Sequence, residues 1–130
     1  MIARVWRGVV ARDRSRAYVD YVDATGVAEY RRAPGCCLSA ILTRNLEPDT
    51  VPRQPDDTGV VDAGPRVEVI AFSVWVSETD IQAFAGPNIH AMVLYPEDEE
   101  YLLEPPTLVH HDVTSLAVSA TVLPTTERDF

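Results

Sequence analysis

Residues 2 to 11, IARVWRGVVA, alternate as a β-strand does and yet carry apolar groups on both faces. Ile2, Trp6 and Val10 share one face with Arg4, while Ala3, Val5 and Val9 share the other with Arg7. Such a strand belongs in a sheet that is covered on both sides, because a wholly apolar sheet face left in water is a large exposed patch.

The remaining pattern supplies the covering layers. Residues 13–32 place Ala17, Tyr18, Tyr21 and Val22 at helical spacing behind the capping candidates Asp13 and Ser15, with Gly26 as a break or kink and Pro34-Gly35 as a stop. Strands are expected over 36–44 and 66–76, a short helix over 78–85, a further helical turn over 88–94 past Gly86-Pro87, and a fourth strand over 107–116. The order β-α-β-β-α-β is that of an α+β ferredoxin-like sandwich, with helices on one sheet face. The other face then calls for a second copy, which predicts a homodimer packed sheet to sheet.

Length and composition narrow the function. A chain of 130 residues fits one domain, expected over 1–116 with a C-terminal extension over 117–130. Within the extension, 117–123 is β-prone and extends strand four or wraps onto a partner subunit. Residues 46–65, with Pro48, Pro52, Pro55, Gly59, Gly64 and Pro65 among acids, read as a long loop that is functional or disordered. The net charge of −9 disfavours nucleic acid and anionic membranes as partners. All eleven basic side chains are Arg, so Schiff-base chemistry is absent. Met1 runs directly into a strand with no signal-peptide pattern and no membrane-length apolar run, so the expectation is a cytoplasmic protein. Cys36 and Cys37 are neighbours on a strand and read as two reduced thiols. The Lys-free, Arg-, Ala-, Val- and Pro-rich composition suggests a bacterial source.

Several segments together resemble a known family. The Ile2-to-Gly8 opening, Tyr18 and Tyr21 with Thr25-Gly26 and Tyr30-Arg31, Pro34-Gly35, and the block from Trp75 through Phe84-Ala85-Gly86 and Tyr95-Pro96-Glu97 to Tyr101-Leu102-Leu103 are similar to the antibiotic biosynthesis monooxygenase-like proteins of the dimeric α+β barrel superfamily. The resemblance implies a homodimer with a ligand pocket between each sheet and its helices. It implies oxygenation of an aromatic or polyketide-type small molecule with O₂ and no cofactor. Where polyketide oxygenases of that family carry a strand-three Asn, this chain has Ala71. Haem-degrading members carry a strand-one Asn, a Trp where this chain has Phe84, and a His ligand one turn beyond His90.

Cofactor-free oxygenation needs a base, a donor for the substrate oxyanion and aromatic walls. Trp75 is the expected donor and His111, sharing a face with Val109 and Val113, the expected base, with His90 as a further candidate. Trp6, Tyr18, Tyr21, Phe84, Tyr95 and His110 are expected to line the pocket; each also has a plainer reading as packing or surface. His90, His110 and Asp112 have the composition of a two-His-one-carboxylate iron site, a reading that composition alone supports poorly. The run Glu97-Asp98-Glu99-Glu100 reads as a solvated helix start. No phosphate loop, dinucleotide fingerprint or zinc pattern occurs, so no cofactor or metal is expected. The alternatives are a non-oxidative cyclase or isomerase using the same pocket, and a non-catalytic ligand-binding dimeric barrel.

Overall fold

The computed structural model describes residues 1–46 and 64–119. Strand β1 (Ile2–Ala11) runs the length of β3 (Arg66–Trp75), from Ile2 opposite Trp75 to Ala11 opposite Arg66. The outer strands β2 (Cys36–Leu46) and β4 (Thr107–Asp112) complete an antiparallel sheet of order β2-β3-β1-β4, the ferredoxin-like order. One face is covered by α1 (Arg12–Ala24), α2 (Gly26–Arg32) and α3 (Glu78–Ala85), followed by the single turn α4 (Asp98–Tyr101).

The core lies between that face and the helices. Trp6, Val10, Val69, Ala71 and Trp75 from the sheet meet Tyr18, Val22, Val27, Tyr30 and Ile81 from the helices. Trp75, Tyr18, Val10 and Ile81 are wholly buried, each worth roughly 1.5–3 kcal/mol of transfer free energy. The opposite face carries Val5, Ile70, Phe72, Leu38 and Ala40 only partly covered, with Leu42 and Val109 each 48% exposed. At one end of this face Glu68 pairs with Arg7 and Arg44, the Arg44 guanidinium first and Arg7 second holding its carboxyl below the usual range.

Several boundaries differ from expectation for local reasons. Helix α1 starts at Arg12 without a side-chain cap; the Arg12 N–H is taken by Pro65 O at 2.9 Å, and Asp13 and Ser15 lie inside the helix. The break in the helical region falls at Thr25, whose φ of −109° and ψ of −87° separate α1 from α2. Over 88–94 the chain makes a single turn at 88–91, closed by Ala91 N–H to Asn88 O at 3.0 Å with the Asn88 carboxamide accepting the His90 N–H at 3.0 Å, and does not continue into a helix. Strand β4 ends at Asp112 rather than at 116, since Asp112 stands opposite Ile2 and β1 offers no further partner; Val113 N–H to Met1 O at 2.9 Å is the last bond, and 113–119 run on without strand pairing. Strand β2 extends to Leu46, two residues beyond the expected end. Most of the 46–65 loop and residues 120–130 lie outside the described residues. Both thiols are free, and Cys37 is the extra residue where the β2–β3 register shifts between Cys36 and Leu38.

Two caps and turns set the approach of α3. Ser77 Oγ accepts the Asp80 N–H at 3.2 Å, and losing such a cap costs about 1 kcal/mol. Gly35 has φ +88°, and a Cβ there would stand 2.2 Å from Asp80 Cγ, so the turn into β2 admits only glycine.

Candidate functional site

The residues on the helix-facing side of β1 build one wall of a cavity between the sheet and its helices. Arg4 and Trp6 from β1 and Ala71 from β3 face Tyr18, Val22, Thr25, Gly26 and Tyr30, and the rim is closed by Phe84, Val93, Tyr95 and Asp98. The cavity itself is narrow, about 30 Å³, and lies in a recess that totals about 410 Å³ with its open solvent. Apart from Arg4, Thr25 and Asp98 its lining is apolar and aromatic, the usual make-up of a small-molecule site.

Arg4 is the residue that sets its chemistry. It is 1% exposed, and no carboxylate among the described residues forms an ion pair with it. Its Nη1 donates to Ile89 O at 2.7 Å and faces His110 Nε2 at 3.0 Å, its Nη2 reaches Ala91 O at 3.4 Å, and its Cζ lies 5.8 Å from the Phe84 ring centre. Burial pulls the Arg4 pKa below its ordinary value, and Tyr30 beside it opposes the shift. A guanidinium keeps its proton even so, and a buried cation without a counter-ion is costly. Such a site is primed to take an anion.

Asp98, which also lines the cavity, is 4% exposed, accepting the Tyr18 hydroxyl at 2.8 Å and the Tyr95 N–H at 2.7 Å. Burial first, and then Asp98, pushes the Tyr18 hydroxyl far above its usual range. Burial and Glu29, which accepts the Tyr95 hydroxyl at 2.6 Å, do the same to Tyr95. Neither phenol is a base at neutral pH. Asp98 is the carboxylate among the residues lining the cavity.

The sequence-predicted residues fall in different places. Trp6, Tyr18, Phe84 and Tyr95 line the cavity. Tyr21 stacks on Tyr101 at 6.1 Å and its hydroxyl accepts the Glu97 N–H, outside the cavity wall. Trp75 does not line the cavity: it is fully buried between Tyr30 and Phe84, and its indole N–H is spent on Ser73 Oγ at 2.8 Å. The expected ligand donor is thus not Trp75. His111 points to the opposite, helix-free face and is exposed, because register places it opposite Ala3 while His110 lies opposite Arg4. Val109 proved a poor guide to the inner face. His90 is exposed, its ring edge-on to His110 at 5.3 Å, and no group of three His, Cys, Asp or Glu residues among those described is placed to hold a metal ion.

His110 is the inward histidine, but it is not a free base. Arg4 can only donate, so His110 Nε2 is the acceptor and the proton sits on Nδ1, which is buried without a partner among the described residues. Burial first, then Arg4 and His90, lowers its pKa. The unfolded chain consequently takes up this proton first on acidification, and the contribution of neutral His110 to stability is intact above the ordinary histidine range and lost as pH falls through it. Thermal melts from pH ~8 to ~5 are expected to show a steeper loss of Tm in the native protein than in His110→Gln.

Sequence reasoning missed Arg4, Tyr30 and Asp98. Arg4 had a signal: a charged residue on a strand face that otherwise holds Ile2, Trp6 and Val10. Gly8 adds a detail, for a Cβ there would lie 2.6 Å from Leu102 Cδ2 and 2.8 Å from Trp6 Cη2. Gly8→Ala is expected to lower stability in urea by ~1–3 kcal/mol, since the buried indole cannot yield as a flexible chain end would.

No protein-family model matches the chain, and no curated protein matches it. Solved structures do. A Nitrosomonas europaea protein of unknown function, NE2512, is 16% identical with a TM-score of 0.59, over 92% of this chain and 94% of that one. Two structures named as "putative antibiotic biosynthesis monooxygenase" are each 14% identical: one from Nitrosomonas europaea has a TM-score of 0.54 over 88% of this chain and 100% of its own, and one from Bacillus cereus has 0.56 over 91% and 97%. This chain therefore has the ferredoxin-like α+β fold of antibiotic biosynthesis monooxygenase structures, in agreement with the resemblance of its sequence. No helix among the described residues is long and apolar enough to cross a membrane.

Proposed function

We propose that this protein is a cofactor-independent, monooxygenase-like tailoring enzyme for an acidic aromatic or polyketide-type small molecule. The observation that carries the reading is the buried, unpaired Arg4 guanidinium inside an aromatic-lined cavity that also holds Asp98. An anthrone matches this polarity. Its acidic C–H and its carbonyl oxygen lie on opposite sides of the central ring, so Asp98 can take the proton while the negative charge develops on the oxygen at the positive pole.

The resulting anion passes one electron to O₂. Recombination at carbon gives a hydroperoxide, and loss of water leaves the quinone: the CH₂ group and O₂ become C=O and H₂O, with no outside reductant. The phenyl, indole and phenol walls exclude water from this step. In an oxygen electrode, anthrone is expected to draw one O₂ per quinone formed, and to stop when O₂ is removed. Turnover that continues without O₂ would instead identify a non-oxidative cyclase or isomerase, and binding without turnover a ligand-binding barrel.

The same reading includes a homodimer. The helix-free sheet face, with Leu42 and Val109 each 48% exposed beside Phe72 and Ile70, is supported as the contact between copies by its apolar character. The 113–119 segment, with Leu116 44% and Val118 53% exposed, suits a segment that lies against the partner.

A further inference from the structure

We infer that Arg4 and Trp6 together form an oxyanion site built for a single oxygen, a phenolate or enolate rather than a carboxylate. Trp6 is 7% exposed, lines the cavity, and its indole Nε1–H is buried with no acceptor among the described residues. An orphaned donor of this kind costs about 1–3 kcal/mol unless something accepts it. The direction of the ring is fixed by Gly8, against which the Cη2 and Cζ3 edge rests, so the pyrrole half bearing Nε1 points away from Gly8. Ala71, opposite Trp6 in the sheet, leaves the indole room and offers it no acceptor.

Arg4 contributes few free donors. Of its five N–H groups, Ile89 O, His110 Nε2 and Ala91 O take three, two of them on Nη1. Two remain, neither on Nη1. One N–H from Arg4 and one from Trp6, on alternate residues of the same strand face, suit two hydrogen bonds converging on one oxygen. The Nη1–Nη2 fork that a carboxylate would grip end-on is already committed to Ile89 O, His110 Nε2 and Ala91 O. Asp98, the carboxylate among the lining residues, repels an anion and so favours an oxygen held beside Arg4. The Tyr18 and Tyr95 groups that face the cavity stay protonated, Tyr30 likewise has its pKa raised by burial, and His110 is neutral, so no other charge competes there.

This inference rests on the oxygenase reading of the same cavity, but it is tested without oxygen chemistry. The probe is 1-naphthol, whose absorption reports ionisation, with 1-naphthoate as the carboxylate of matching shape. The bound naphthol is expected to ionise at least one pH unit below its value in solution, a tenfold preference for the anion, and to bind more tightly as naphtholate than 1-naphthoate does. Trp6→Phe, which keeps a ring, is expected to shrink the shift several-fold, and Arg4→Met to abolish it. Failure to bind naphthol, ionisation at or above the solution value, tighter binding of naphthoate, or an unchanged shift in a folded Trp6→Phe protein each overturns the inference. A protein that ionises naphthol but consumes no O₂ with anthrones upholds it and refutes oxygenation.

Discussion

Arg4→Met lowers kcat with an anthrone by about 10²–10³ while leaving the fold intact, the loss expected when one principal donor to a developing oxyanion is removed. The stability side of this result follows from two opposing magnitudes. Met leaves Ile89 O and Ala91 O without their donor, at ~1–3 kcal/mol, and it relieves the buried guanidinium of a desolvation cost of similar size. The two nearly cancel, so urea denaturation should place the variant within about 1 kcal/mol of the native protein. A purely structural Arg4 would give the reverse pattern, a large loss of stability with activity falling only in proportion to the unfolded fraction.

Phe72→Asp is expected to convert the proposed homodimer to monomer at micromolar concentration. Phe72 lies on the helix-free face between Val5 on β1 and Ala40 on β2. In a sheet-to-sheet dimer a carboxylate there is buried without a partner, a cost on the order of 3–5 kcal/mol counted once per subunit. That exceeds what most interfaces of standard size can absorb. Sedimentation velocity reads the outcome directly. A native protein that sediments as a monomer would remove the dimer from the account, and a dimeric Phe72→Asp would move the interface elsewhere.

Much of the fold was legible because its signals are periodic. The two-sided apolar pattern of residues 2–11 called for layers on both faces of the sheet, and α1, α2 and α3 cover one of them. Ser77 marked the start of α3 and the helix ends at Ala85 as its spacing requires. The site was less legible, and the reasons are specific. Apolar neighbours cannot orient His110 and His111 when both sheet faces are apolar; only the pairing with Arg4 and Ala3 decides, and pairing is a tertiary fact. Asp98 sits within four consecutive acids that read as a solvated run, and its burial comes from Tyr18, 80 positions earlier in the chain. The two tryptophans look alike in sequence, yet Ser73 satisfies one and nothing among the described residues satisfies the other. Arg4 was visible as an anomaly on an apolar face, and a charged residue in that position merits first place among site candidates.

The resemblance had left the strand-three position at Ala71 without the amide that related polyketide oxygenases carry. Ala71 faces Trp6 across β1 and β3, and both line the cavity. On the proposed reading the Trp6 indole supplies from β1 the donor that those oxygenases carry on strand three.

The central claim is that an aromatic molecule binds in the cavity walled by Trp6, and tryptophan fluorescence tests it most directly. Titration with anthrone under nitrogen is expected to give saturable quenching that persists in Trp75→Phe and is lost in Trp6→Phe, because Trp6 lines the cavity and Trp75 does not. Absence of quenching, or quenching carried by Trp75 and unchanged in Trp6→Phe, would contradict the account.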